Sequence, residues 1–195
     1  MGALVADPEA STPSTLCVKR VEAVFVQCFL HKYNTRLAGG FDEPLYHPAQ
    51  TQGQTHRLCY REDFFASALH EVSHWCIAGK ARRVQTDFGY WYAPDGRSPS
   101  QQKAFENVEY KPQALEWFFA KACGHHFRIS VDNLEGIGGD MQPGNAFGQR
   151  VLAQARHWCQ QGLPGDAGLF FRALCQEFGE ESDLGRLTFS LSELK

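Results

Sequence analysis

Asp63-Phe64-Phe65-Ala66-Ser67-Ala68-Leu69-His70-Glu71-Val72-Ser73-His74-Trp75-Cys76-Ile77-Ala78-Gly79 is the stretch from which the rest of the chain is read. Asp63 is a residue type that caps a helix, and Gly79 is one that stops it. The spacing predicts a helix over 63–78. Phe64, Phe65, Ala68, Leu69, Val72, Trp75, Cys76 and Ile77 surround nearly the whole cylinder. A helix that is apolar on all sides lies inside a protein.

Other segments supply the layers around it. Val18, Val21, Phe25, Cys28 and Phe29 form one stripe, which predicts an amphipathic helix over 16–30. Residues 34–54 contain Gly39-Gly40, Pro44 and Pro48 and read as an irregular loop. His56 to Tyr60 reads as a short strand. Asp87 to Tyr92 reads as extended, ending in the turn Pro94-Asp95-Gly96. A further helix is expected over about 112–123, or from a turn earlier, stopping at Gly124. Phe127, Ile129 and Val131 alternate like a strand. Phe147 to Cys159 and Leu169 to Phe178 carry two more helical patterns. The expected fold is α+β and helix-dominated, with a few short strands and a buried helix bearing the histidines.

The chain has 195 residues, enough for one domain with a single core. The expected organisation is a loose tail over Met1–Thr15, rich in Ser, Thr, Pro and Ala, and one catalytic domain over 16–195. Aromatics make up 13%, with 15 Phe and 4 Trp, so a large core or an aromatic-lined cleft is expected. A formal charge of -3 argues against a nucleic-acid binder that relies on net positive charge. Seven widely spaced Cys with no C-x-x-C pair fit neither a disulfide framework nor a Cys-type zinc site. With no leader-like segment and no long apolar run, a reducing cytoplasm is the expected compartment and no membrane association is expected.

His70-Glu71-Val72-Ser73-His74 reads H-E-x-x-H. On a helix, positions four apart share a face, so both imidazoles can reach one divalent ion. Two buried histidines with no partner are costly, and a metal gives them one. Glu71 points about 100° away around the cylinder. It is placed to contact a metal-bound water, or to pair with Arg82 or Arg83. A catalytic site takes a third protein ligand and leaves positions open. Glu106, Glu109 and Glu116 are the best donors downstream, with His125 and His126 weaker because they sit beside Gly124.

Beyond these spacings, the run from Ala66 to Arg83 resembles the bacterial elongation factor P hydroxylase family. So do Asp87-Phe88-Gly89-Tyr90-Trp91-Tyr92-Ala93-Pro94-Asp95-Gly96-Arg97 and Val108-Glu109-Tyr110-Lys111-Pro112-Gln113-Ala114-Leu115-Glu116-Trp117. Asn34-Thr35-Arg36-Leu37, Asp42-Glu43-Pro44 and Asp132-Asn133-Leu134-Glu135-Gly136 fit the same pattern, in order, over about residues 20–175. The resemblance implies a non-haem iron(II) enzyme. Its substrate would be the modified, lysylated lysine of elongation factor P, a translation factor. It implies His70, His74 and Glu109 as metal ligands.

A cationic lysine is expected to meet carboxylates and aromatic faces. Asp42, Glu43, Asp87, Tyr90, Trp91 and Asp95 are the candidates. The main rival is a zinc metallopeptidase in which Glu71 is the general base. A second is a binding module whose metal only holds the core. Nothing selects a cosubstrate beyond dioxygen, although Arg57, Arg82 and Arg83 are available to hold a carboxylate.

Overall fold

The computed structural model describes residues 17–83, 85–86, 97–130 and 146–194. The expected tail over 1–15, the aromatic stretch at 87–92, the turn at 94–96 and Val131 lie outside these residues.

Helix α1 (Val18–Tyr33) buries Val21, Val24, Phe25 and Phe29. It ends at Asn34, whose left-handed backbone (φ 49°) lets its N–H donate to the Leu30 carbonyl. Asn is one of the few residues besides glycine that tolerates this conformation.

Strands β1 (Thr35–Phe41), β2 (Leu45–His47) and β3 (His56–Arg61) follow in the order β1-β3-β2. β1 pairs parallel to β3, and β2 pairs antiparallel to it. Within 34–54, where glycines and prolines suggest an irregular loop, residues 35–41 and 45–47 are strands, and 48–54 is irregular as expected. Gly39 sits inside β1 because only a residue without Cβ fits there. An added Cβ would lie 2.5 Å from Tyr60 Cζ and 2.6 Å from the Glu62 carbonyl. The Tyr60 hydroxyl below it donates to Glu22 Oε1 at 2.8 Å.

Helix α2 (Phe65–Arg82) carries the H-E-x-x-H run. Its N-cap is Phe64, not Asp63, and no side chain bonds the first turn. Gly79 breaks the helical path, as its type predicts, with φ 71° and ψ 173°. The helix resumes beyond it instead of stopping, because a single glycine takes up the left-handed turn.

Helix α3 (Pro99–Ala122) is twice the expected length. Ser98 and Gln101 form a capping box, and Pro99 occupies the first turn, where its missing N–H costs nothing. Pro112 lies inside the helix and not at its start. Every residue from Pro112 to Ala120 is buried. Residues 125–130 after it form no strand.

Helices α4 (Ala146–Gln161) and α5 (Gly165–Phe178) match the expected patterns, and two short 3-10 turns follow at Leu184–Arg186 and Leu191–Glu193.

α2, α4 and α5 pack around α3, α1 packs on α5 and α2, and the small sheet lies against α1 and α2. Aromatic rings carry the contact. Phe29 meets Trp75 at 4.8 Å between centroids, and Phe119 meets Phe170 at 5.1 Å. Such pairs add about 0.5–1.5 kcal/mol each beyond the area they bury. All seven cysteines are free thiols and all are buried or half-buried. Burial pushes the thiols of Cys28, Cys59, Cys76, Cys123, Cys159 and Cys175 above their ordinary range. Among the described residues, no helix is long and apolar enough to cross a membrane.

Candidate metal centre

Two helices build the site. α2 presents His70 and His74 one turn apart, and α3 lies against it. On α3, Glu109, Gln113 and Glu116 recur at spacings of four and three, which puts them on one stripe. Gln113 donates to the Ser130 carbonyl at 2.7 Å and accepts the Ser130 N–H at 3.0 Å. That pair fastens the chain beyond α3 to the middle of the stripe.

The donor atoms converge. His74 Nε2 lies 3.0 Å from His70 Nε2 and 3.2 Å from Glu109 Oε1. His70 Nε2 lies 3.5 Å from Glu109 Oε2. Three ligands held about 2.0–2.2 Å from one ion at right angles sit about 3 Å apart. The group therefore comes near the spacing of three adjacent corners around a metal, and among the described residues it is a set of side chains able to hold one. Two imidazoles and a carboxylate suit a first-row divalent ion.

The electrostatics agree. Burial disfavours a charge on His70, yet the Glu116, Glu109 and Glu71 carboxylates outweigh it and hold its pKa up at about 10. Burial alone would raise Glu109, but His74, His70 and Gln113 bring it to about 2. The site thus gathers negative charge around a position that demands a cation. A divalent ion would take over the positive charge that His70 supplies in its absence.

Glu116 has a different part from Glu109. The His70 Nδ1–H donates to Glu116 Oε2 at 2.8 Å. This fixes the tautomer that leaves Nε2 free for a ligand bond. The Glu116→Ala variant is expected to bind metal about 10–100-fold more weakly, the usual cost of losing such a partner. Competition with a coloured chelator measures this. Glu106 lies apart, accepting from Gln102 at 3.3 Å, and Glu106→Ala should leave the affinity unchanged. A Glu116→Ala loss as large as that of Glu109→Ala would make Glu116 a ligand.

Glu71 is also enclosed. Burial raises its carboxyl, the His70 and His74 imidazoles lower it, and Glu109 and Glu116 raise it, with a net rise. It lines a cavity with His74 and Arg82. Arg83 does not pair with it, bonding Asp166 and the Trp75 carbonyl instead.

The remaining candidates fall elsewhere. Asp42 and Glu43 are exposed in the bend between β1 and β2 and do not line that cavity. Asp87, Tyr90, Trp91 and Asp95 lie outside the described residues. His125 is half-buried and meets Phe65 at 5.0 Å with the rings tilted by 52°, and burial pushes its pKa down. His126 is exposed. Neither joins the metal-holding group.

Comparison with known proteins bears on the same residues. A family profile described as elongation factor P hydroxylase matches residues 24–188, which include both helices of the candidate centre. A curated protein of Haemophilus influenzae, named elongation factor P lysine hydroxylase, is 46% identical over 170 residues. That alignment covers 87% of this chain and 94% of the relative. On this match the chain belongs to the elongation factor P hydroxylase family.

Proposed function

We propose that the chain is an iron-dependent hydroxylase acting on the modified, lysylated lysine of elongation factor P, in the cytoplasm. The observation that carries this is the His70, His74 and Glu109 group, with donor separations of 3.0–3.5 Å, in a chain of that family. Iron(II) held by two histidines and one carboxylate keeps positions for dioxygen and supplies the oxidising chemistry. The protein's own residues have the remaining tasks. His70 and His74 hold the ion from α2, Glu109 from α3, and Glu116 keeps His70 turned toward it.

The lysine-derived substrate is cationic. On this reading Asp42, Glu43, Asp87, Tyr90, Trp91 and Asp95 are the groups proposed to receive it. The protein's further task is to keep water from the reacting carbon.

The peptidase reading uses the same H-E-x-x-H run and a downstream carboxylate, so Glu71 separates the two. A peptidase needs Glu71 to take a proton from the attacking water, and its loss stops turnover. A hydroxylase draws its oxidant from dioxygen and needs no base at that step. Elongation factor P incubated with the protein, iron(II), air and a reductant, which supplies the two electrons that take the second oxygen atom to water, is expected to gain about 16 Da on the target lysine, one oxygen atom. Glu71→Gln should keep its metal and slow that gain by about 10–100-fold without abolishing it. Peptide cleavage by the zinc-loaded protein, with no mass gain under iron, would overturn the proposal.

A further inference from the structure

Glu109 reaches the centre on a flexible side chain, and both of its oxygens lie among the histidines. Oε1 is 3.2 Å from His74 Nε2, and Oε2 is 3.5 Å from His70 Nε2. Either oxygen, or both, is near enough to be offered to an ion. A ligand free to swing among these orientations loses affinity when it is ordered, so a firm site needs a group that fixes the carboxylate beforehand.

Gln113 is one helical turn beyond Glu109 on the same stripe of α3, the spacing at which an amide meets a carboxylate along a helix. It is 1% exposed. An amide buried so fully is costly unless its donors and acceptor are matched. Its oxygen accepts the Ser130 N–H at 3.0 Å, and its nitrogen donates to the Ser130 carbonyl at 2.7 Å. These two bonds run in opposite directions to the main chain of one residue 17 positions on, so the amide plane can neither flip nor turn. The nitrogen carries a second hydrogen, and the locked plane sets its direction. Holding Ser130 makes no use of that hydrogen. The Glu109 carboxylate receives it. Burial raises that carboxyl, His74 and His70 lower it, and a hydrogen bond from Gln113 lowers it further. The buried run Pro112–Ala120 has two polar side chains, Gln113 and Glu116. Glu116 holds His70.

We infer that Gln113 is a positioning residue, which fixes the direction in which Glu109 presents its carboxylate to the metal and uses the main chain at Ser130 as its anchor. The inference rests on the reading of Glu109 as a metal ligand. It gives that ligand an outer partner, as Glu116 is the outer partner of His70. Gln113 acts through Glu109 and has no part in the chemistry itself.

Cobalt(II) is the probe, because its visible absorption responds to the number and arrangement of its ligands. The full chain and its variants Glu109→Ala, Gln113→Met, Gln113→Asn and Gln102→Met are titrated with cobalt(II) against a competing chelator. The absorption of each loaded protein and the thermal unfolding of each metal-free protein are recorded. Gln113→Met keeps the volume and removes the amide. Gln113→Asn keeps the amide on a stem too short to span Ser130 and Glu109 together, and it decides the matter if Gln113→Met does not fold. Gln102 donates to Glu106 Oε1 at 3.3 Å, an amide–carboxylate pair of the same spacing on the same helix but away from the centre. Both Gln113 variants are expected to bind cobalt about 10–100-fold more weakly and with altered absorption, while Gln102→Met matches the unsubstituted chain. If Gln113 only held Ser130, its variants would unfold at a lower temperature yet bind cobalt with unchanged affinity and absorption. That result overturns the inference, and so does an equal loss in Gln102→Met. Unchanged cobalt binding by Glu109→Ala would show the centre to be misassigned, and the inference would fall with it. Loss of cobalt in Glu109→Ala with none in the Gln113 variants would overturn the inference alone. Cobalt binding needs neither dioxygen nor elongation factor P, so these results are distinct from a failure of hydroxylation.

Discussion

The His74→Ala variant is expected to purify without stoichiometric metal and to leave elongation factor P unmodified. The geometry sets the size of the effect. His74 Nε2 is within 3.2 Å of both other donor atoms, so it stands at the centre of the set. Its removal leaves one imidazole and one carboxylate, too few to hold a divalent ion firmly. Losing an outer partner of a metal ligand costs about 10–100-fold in affinity. Losing the ligand itself should exceed about 100-fold, and His70→Ala and Glu109→Ala should behave alike. Metal analysis after anaerobic purification reads the first effect, and mass spectrometry of elongation factor P reads the second. Circular dichroism should stay helical, since the core rests on rings such as Phe25, Phe29 and Trp75 and not on the ion. A His74→Ala protein with full metal content would show that the H-E-x-x-H run is not the site.

The second large effect concerns folding. Gly39→Ala is expected to destabilise the protein by about 1–3 kcal/mol, the usual cost of overfilling a packed interior. The new methyl would meet Tyr60 Cζ at 2.5 Å and both Tyr60 Oη and the Glu62 carbonyl at 2.6 Å. Neither neighbour can yield easily. Tyr60 is fully buried and bonded to Glu22, and the Glu62 carbonyl accepts the Gly40 N–H at 2.6 Å. For a chain of this size each kcal/mol lowers Tm by about 2–4 °C, so thermal unfolding should shift by about 2–12 °C. A shift smaller than about 1 °C would mean that β1 and β3 separate at no cost. Gly40, which takes φ 85° with open space around it, would instead be strained by backbone conformation alone.

The helices were legible in the sequence because their stripes repeat for several turns, as in Val21, Phe25 and Phe29 or Phe170, Ala173 and Leu174. Of the strands, β3 was legible as His56 to Tyr60, and β1 and β2 were not. Gly39-Gly40 looks like a loop, yet Gly39 is in β1 because the Tyr60 ring fills the place of its side chain. β2 has only three residues, too few to show alternation. At the centre, the spacing of His70 and His74 was enough to pair them. The third donor was not settled by spacing, because Pro112 made the helix look as though it began after Glu109. Once α3 runs from Pro99 to Ala122, Glu109 and Glu116 fall on one face two turns apart, and their separate parts become visible. The carboxylate-rich wall around His70, and the bonds between Gln113 and Ser130, belong to tertiary packing and have no local sequence signal.

The buried thiols bear on how long such a protein lasts. An enzyme that brings dioxygen to a metal exposes its own side chains to whatever oxidant escapes. The thiolate is the form that reacts, and each step from sulfenic to sulfonic acid is harder to reverse. Cys76 is two residues from His74, and Cys59 lies in β3 beneath the same helix. Burial keeps both protonated, along with Cys28, Cys123, Cys159 and Cys175. On the hydroxylase reading, Cys76 and Cys59 sit close to the redox centre as protonated thiols, and self-inactivation during turnover should begin elsewhere than at these two.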